Sequence, residues 1–575
     1  MKRATLMAAG LGALLACLVA MPASAATFAV NTTADPAGAG CAGGTCSFRQ
    51  AADAVNAGPG SGDTINLPAG HYVFALGDIR FDLPVTIVGA GARSTILDAN
   101  LASGVLYFQT GSSASTLAGV TVTRGSFGGI YNEVNLTVRD VAVVGNTDTG
   151  TGAGLYNNTG ATLTVERSTI SGNTAGTVGA GIYNQGTLNL TSSTVSGNIA
   201  NTSGGGWEAG GVYNSGTATI VNSTIAGNRA DAGGGIDASS GSMVNLKNTI
   251  IAANTATGTG PANCTSSGTY ISQGNNLEDA DTCNLTQLTD LRNTAAGIGS
   301  LQNNGGPTDT RALLAGSAAI DRGANSGCPA TDQRGVGRPI GTCDIGAYEF
   351  APPGVTTGSA TAINTGGAKL AGTLLPNLRD SSYYFQYGVT TAYGSTSVAQ
   401  GGGAGNSPVG VNVTAAGLKS GTTYHFRLVA VNAEGTSFGS DATFKTSVFN
   451  GARLASRTLK LDSKGRVRLR LGCPSTTAGS CAIRAGIYSA KGKLPASLSR
   501  VGGDSAVRKA RRLGRGSFSI AAGKTQSKRV RLSRAGRKPL KRKRTLRARL
   551  LLTTRDAGGN AKTRSFRVKV KRNRG

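Results

Sequence analysis

Five copies of one short pattern run through the first half of this chain, and no other feature limits its fold as tightly. Residues 128–147 read GGIYNEVNLTVRDVAVVGNT, 153–174 AGLYNNTGATLTVERSTISGNT, 180–198 AGIYNQGTLNLTSSTVSGN, 210–228 GGVYNSGTATIVNSTIAGN and 234–255 GGIDASSGSMVNLKNTIIAANT. The asparagine closing each copy, at Asn146, Asn173, Asn198, Asn228 and Asn254, recurs after 27, 25, 30 and 26 residues. Within a copy, runs such as Thr187-Leu188-Asn189-Leu190-Thr191 alternate apolar and polar residues and end in glycine and asparagine turns, which predicts two or three short strands. A unit this small cannot bury its apolar face alone, whereas stacked copies share a continuous core. The pattern therefore predicts an all-β chain built around a parallel β-solenoid.

Asparagine tolerates left-handed backbone at turns and can stack its amides from coil to coil. Tyr131, Tyr156, Tyr183 and Tyr213 align likewise. A sugar-binding strip is one reading of that row, but a residue repeated in every coil is more economically a structural ladder. The segment CSFRQAADAVN at 46–56, followed by GDTINLPAGHY at 62–72, resembles the CSLREA motif that opens many secreted bacterial right-handed β-helix proteins, with Phe48 and Gln50 as departures from its Leu and Glu. The stretch LQNNGGPTDTRALLAGSAAIDRGANSGCPATDQRGVGRPIGTCDIGAYEF at 301–350 resembles their choice-of-anchor Q ending, and the GGIYN and STISGN repeats are similar to polymorphic outer-membrane protein repeats. The resemblance implies a pectin-lyase-like, right-handed parallel β-helix over 26–350, exposed at a cell surface or released. It does not imply an enzyme, because that fold carries lyases, glycosidases and adhesins alike.

A lyase or glycosidase would need carboxylates converging on one groove. Residues 26–350 hold one lysine, Lys247, and one histidine, His71, and acids within the repeats are sparse. The best cluster is Glu208, Asp231 and Asp237, since Asp237 takes the tyrosine position of the other coils. The three fall at different phases of the repeat, however, so no catalytic set is assigned. Trp207, the one tryptophan, lies in the insertion GGGWEAGG at 204–211 and is either a ligand-stacking platform or a cover on the solenoid wall. His71 has no nucleophile partner in a recognisable motif.

Lys2 and Arg3, an apolar run to about Met21 and Ala23-Ser24-Ala25 predict a secretory signal peptide at 1–25. Leu14-Leu15-Ala16-Cys17 offers a lipidation box as the alternative, though Leu15 fits it poorly. No later stretch approaches the roughly 20 apolar residues a bilayer needs, so the expected product is exported and not membrane-spanning. Beyond Cys17, eight cysteines fall as sequence neighbours: Cys41 with Cys46, Cys264 with Cys283, Cys328 with Cys343, and Cys473 with Cys481. Four local disulfides are the natural reading in an oxidising compartment, although eight cysteines permit many other pairings. Neither a metal centre nor a cofactor is expected, because zinc would need CxxC-type spacing with nearby histidines.

Ala351-Pro352-Pro353-Gly354 marks a linker, after which alternating runs at 382–387 and 423–431 predict strands. The stretch Leu418-Lys419-Ser420-Gly421-Thr422-Thr423-Tyr424 resembles the tyrosine corner of a fibronectin type III sandwich, assigned to 351–447, which implies that the Tyr424 hydroxyl bonds the backbone upstream. Residues 448–575 then carry 37 Lys and Arg against three Asp, a net +34, whereas 26–447 carries 18 against 25. The alternation of Arg466, Arg468 and Arg470, and of Arg567, Lys569 and Lys571, with apolar residues predicts strands with one basic face, hence a small basic β-sandwich. With the run Lys541, Arg542, Lys543 and Arg544, these residues form the expected polyanion-binding surface. In an exported protein the partners are anionic envelope polymers or acidic polysaccharide, with extracellular DNA as a further polyanion. The whole chain is thus expected to be a secreted surface protein, adhesive or structural, retained by its basic module. The competing expectation is a carbohydrate-active enzyme. Oligomeric state is not legible.

Overall fold

The alternating runs become strands that stack coil upon coil. A computed structural model describes residues 25–38, 40–41, 44–58, 62–109, 114–201, 209–265, 267–495 and 510–572. The proposed leader at 1–25 therefore lies, but for its last residue, outside the described residues. Two compact units divide the chain, Met1–Phe350 and Ala351–Gly575.

In the first unit, parallel sheets of ten, nine, seven and five strands make a β-solenoid. The strand Thr187–Thr191 pairs residue for residue with Thr162–Glu166 on one side and Thr217–Val221 on the other. Its inward set, Leu188 and Leu190, stacks with Leu163 and Val165 and with Ala218 and Ile220, all fully buried. Period-two alternation sends these side chains inside and the threonines out. Between this sheet and the next, each coil turns on a residue with positive φ: Asp140, Arg167, Ser192, Asn222 and Asn248 lie between 45° and 56°.

Two asparagine ladders hold the coils in register. Asn146, Asn173, Asn198, Asn228 and Asn254 each pass an amide N–H to the side-chain oxygen of the next, at 2.9 to 3.0 Å. Asn132, Asn157, Asn184 and Asn214 do the same at 2.6 to 2.8 Å. Enclosed amides of this kind are stabilising only because every polar atom finds a partner. Tyr107, Tyr131, Tyr156, Tyr183 and Tyr213 stack with ring centroids 4.5 to 5.0 Å apart, a ladder with one rung more than the aligned repeats show.

The CSFRQA segment leads into a helix. Phe48–Ala57 is an α-helix, started by a capping box in which Ser47 accepts from the Gln50 backbone and Gln50 accepts from the Ser47 backbone. Its buried face, Phe48, Ala51, Ala52 and Val55, has helical spacing, and the Phe48 ring packs 6.0 Å from Phe74 and 6.1 Å from Phe81. Without this lid the first coil would leave its apolar interior open to water. After the last coil, residues up to Phe350 run back along the nine-stranded flank. Thr194 donates to Gln333 at 2.6 Å, Gln333 donates to Thr169 at 2.8 Å, and Asn222 donates to the Asp344 carbonyl at 3.1 Å. Inside this closing segment the fully buried pairs Arg334–Asp332 and Arg338–Glu349 stand at 2.7 and 3.1 Å.

The second unit is mainly antiparallel. Ser381–Gly388 and Thr423–Asn432 pair over 382–388 and 425–431 around Phe385, Phe426 and Leu428. The Lys419 N–H donates to the Tyr424 hydroxyl at 2.9 Å. From Arg453 onward, eight strands form one connected sheet, antiparallel except where Thr458–Leu461 lies parallel to Ala561–Arg572. The bridge between Gly514 and Leu532 brings its far strand back toward Thr525–Arg531, so the sheet curls around its own core where a two-layer sandwich was expected. Alternation dictates one apolar face, which a curled sheet satisfies as well as two stacked ones. The two parts of this unit share a polar seam: Thr365 donates to Asp556, and Asn560 donates to the Thr365 carbonyl at 2.9 Å.

The four disulfides join the cysteines that neighbour one another in sequence. Cys41 bonds Cys46 beside the N-cap of the opening helix. Cys264 bonds Cys283 just past the last regular coil, and Cys328 bonds Cys343 within the closing segment. Cys473 bonds Cys481 in the second unit, between strands Arg466–Gly472 and Ser480–Ser489. Cys46, Cys264, Cys283, Cys343, Cys473 and Cys481 are all buried, so these cysteines belong to the packing of the fold and present no reactive sulfur to a ligand. Three of the bonds stand in the irregular parts of the first unit, where no repeated neighbour fixes the chain. Among the described residues, no helix is long and apolar enough to cross a membrane.

Candidate polyanion interface

The acids singled out in the solenoid do not meet in a groove. Asp237 stands beside Tyr213 in register, as the repeats predict, but it is fully buried beneath the Thr265 hydroxyl that donates to it. Burial pushes its carboxyl pKa upward. Asp231 lies in a turn, where its carboxylate accepts from the Thr257 hydroxyl at 3.4 Å and its backbone carbonyl accepts from the Gly258 N–H at 3.0 Å. Glu208 and Trp207 lie outside the described residues. His71 contacts the buried Asp98 carboxylate at 2.8 Å, and Arg124 pairs with the same carboxylate at 3.1 Å.

A groove of about 500 Å³ does open beside the tyrosine ladder, lined by Arg80, Tyr107, Phe127, Tyr131, Asp148 and Tyr156 among others. Phe127 is 69% exposed there. Burial raises the Asp148 carboxyl above the usual range, although the Gly150 N–H donates to it at 2.6 Å. Neither residue breaks the repeat pattern conspicuously, so sequence alone did not mark them.

The basic segment builds a second groove, of about 530 Å³. Strand Arg466–Gly472 buries Val467, Leu469 and Leu471 and turns Arg466, Arg468 and Arg470 outward. Along one side, Thr525–Arg531 sets Arg529 opposite Arg468 and Arg531 opposite Arg466. Along the other, Thr458–Leu461 contributes Lys460 and Thr458, with Ser456 just before it. Lys460, Arg466, Arg468, Arg470 and Arg529 thus converge on one concavity where, among the described residues, Asp462 is the single carboxylate. Asp462 pairs with Arg466 at 2.9 Å, and the Arg466 backbone N–H holds its carboxyl below the usual value.

Of the basic residues expected to act together, Arg466, Arg468 and Arg470 line this groove. Lys569 and Lys571 stand beside Thr458 and Lys460 on the adjoining strand, so they extend the same outer face, and Arg567 continues it. Lys541 and Arg542 occupy the last turn of helix Arg534–Arg542, where cations favourably oppose the helix dipole. Lys543 and Arg544 follow, all four exposed. Lys541 lines a separate depression with Arg537 and Arg572. Lys460 and Arg529 were not selected from the sequence, because only strand pairing brings them to Arg468.

Like charges opposed across a sheet repel at Cβ separations of about 5 Å. Arg466 with Arg531, Arg468 with Arg529 and Arg547 with Lys569 are all such pairs. Chemically, the arrangement binds multivalent anions by charge and by the forked donors of guanidinium groups.

No family model matches this chain, and no curated protein does. Among solved structures it is similar to the sensor domain of the anti-sigma factor RsgI4 of Pseudobacteroides cellulosolvens, at 20% identity and a TM-score of 0.13, over 17% of this chain and 93% of that one. It is also similar to the FN1–FN3 domains of chicken CNTN1, at 11% identity and a TM-score of 0.16, over 38% of this chain and 66% of that one. Neither likeness bears on function.

Proposed function

We propose that this is a secreted surface protein whose basic C-terminal module holds it on an anionic envelope polymer while the solenoid serves as an adhesive or structural platform. The observation that carries this reading is the convergence of Lys460, Arg466, Arg468, Arg470 and Arg529 on one groove. Placing like charges side by side costs stability unless a polyanion neutralises them. Export is supported by the leader pattern at 1–25 and by four disulfides. The CSLREA-type and choice-of-anchor Q readings, which imply a right-handed coil, rest on the resemblance of residues 46–72 and 301–350 and are compatible with the parallel β-solenoid. The Lys419–Tyr424 bond supports a fibronectin type III-like identity for 351–447.

Binding of the full chain to immobilised anionic and neutral polysaccharides across a salt series tests this. The full chain is expected to bind only the anionic polymers. Replacing Arg466, Arg468 and Arg470 together by Gln should weaken binding at least about tenfold and flatten the salt slope by about 2–3, at about 0.7–0.9 per lost contact. Substitution is preferable to truncation after Ser447, which would open the Thr365–Asp556–Asn560 seam. Binding that ignores both salt and substitution would remove the module from this role.

A carbohydrate-active enzyme is the second reading, favoured by the groove containing Asp148 and the exposed Phe127. Soluble sugar fragments released by the full chain but not by an Asp148→Asn variant would establish it.

A further inference from the structure

Resting on the polyanion reading, we infer that the groove lined by Arg466, Arg468, Arg470, Lys460 and Arg529 is a site for one strand of a linear polyphosphodiester whose consecutive phosphates are joined through three carbons. Arg466, Arg468 and Arg470 alternate along one outward face. Because a strand advances about 3.3 Å per residue, consecutive guanidinium stems stand about 6.7 Å apart. Six covalent bonds separate phosphorus atoms linked as P–O–C–C–C–O–P, and at about 1.5 Å per bond along a zigzag such a chain repeats every ~7 Å when extended. Each phosphate can therefore meet one arginine without strain in either partner.

The lining favours phosphate further. Four of its five cations are arginines, whose planar forks bind tetrahedral oxyanions through two donors at once. Arg529 faces Arg468 across the sheet, so a phosphate between them would be gripped from both sides and would cancel their repulsion. Ser456, Thr458 and Ser527 line the same groove and offer hydroxyl donors to the remaining ester and phosphoryl oxygens. In a linear polyuronate, by contrast, a sugar ring separates successive carboxylates and turns them to opposite sides, so one row of arginines meets only alternate charges.

Among the described residues, no aromatic side chain lines the groove. A single-stranded nucleic acid shares the phosphate spacing, but it would find no ring on which to stack its bases. The occupant favoured is accordingly a polymer of the glycerol phosphate type.

The test uses the full chain and three probes of matched charge number at one ionic strength: poly(glycerol phosphate), a polyuronate and oligothymidylate. Poly(glycerol phosphate) is expected to bind about tenfold more tightly than either of the others, the margin a lost bidentate contact implies. A triple Arg466→Lys, Arg468→Lys, Arg470→Lys variant keeps the charge but loses the forks. Its preference should collapse to about twofold, with its melting temperature checked against the parent. Equal affinity of the parent for phosphate and uronate polymers would overturn the phosphodiester assignment while leaving polyanion binding intact. Oligothymidylate binding as tight as poly(glycerol phosphate) would make the groove a nucleic-acid site instead. Failure to bind any probe would sink the polyanion reading itself.

Discussion

Asn198 shows how much one buried side chain can hold. Its side-chain oxygen accepts from the Asn173 side-chain amide at 2.9 Å and from the Asn173 backbone at 3.1 Å, while its own amide donates to Asn228 at 2.9 Å and to the Ile170 carbonyl at 3.0 Å. Asn198→Ala removes all four bonds and strands donors and acceptors on both neighbouring coils. Leaving such groups unsatisfied costs about 1–3 kcal/mol each, offset in part by relaxation, so the variant is expected to lose about 2–4 kcal/mol in denaturant unfolding. A loss below about 0.5 kcal/mol, the size of an ordinary surface change, would mean that the ladder only fills space. The recurrence of asparagine at one phase of every copy made this ladder legible in advance. The pairing of Cys46, Cys283, Cys343 and Cys481 with the cysteine before each was legible too, since neighbours in sequence close the shortest loops. The carboxylate of Asp237 was legible only as an exception to the tyrosine row. That Thr265 closes over it depends on a segment beyond the last regular copy.

At the scale of elements, regular coils could be read because each repeats its neighbour's pattern, and the two ends of the solenoid could not be read that way. The opening helix carries its own local signals, Ser47 and Gln50 in a capping box and Phe48, Ala51, Ala52 and Val55 at helical spacing. Those signals were masked by the strand alternation around them. The closing segment has no periodicity, since it is held by single side chains such as Gln333 that reach residues more than a hundred positions away. Within it, burial and the adjacent Glu349 carboxylate push the Asp344 carboxyl up to about 7, against the backbone N–H groups of Asp321 and Phe350 and the nearby Arg338. An acid whose pKa is raised on folding stabilises fully below its unfolded value of about 3.9, and that contribution is lost as pH rises through about 7. The first unit should therefore melt at a lower temperature at pH 8 than at pH 5 by scanning calorimetry. Asp344→Asn should flatten that difference, and an unchanged profile in the variant would exclude Asp344 as its source.

Across the whole molecule the charge is segregated, with +34 in 448–575 and a small negative balance over 26–447. That contrast was legible from counting alone. The groove was not, because Lys460, Arg468 and Arg529 are brought together by pairing between strands distant in sequence. A soluble polyanion that binds the folded module and not its unfolded chain should raise the melting temperature of the second unit, by about 2.7 kcal/mol of stability at a hundredfold excess over its dissociation constant. The first unit should be unmoved, and added salt should erase the shift. Equal shifts in both transitions would point to non-specific adhesion of the polymer.

The two asparagine ladders also bear on how a gene for such a chain can change length. Excising residues 174–198 would bring Asn173 against Asn228, the kind of partner it has already in Asn198, and Tyr156 against Tyr213. Ladder contacts across the new junction would be of a type that already exists, and each coil added or lost alters the reach of the solenoid by about 4.8 Å. This excision would also remove Thr194, however, the partner through which Gln333 ties down the closing segment. The ladders accept any whole number of rungs, so it is the closing segment, whose side chains reach several coils at once, that fixes how many coils the chain can hold.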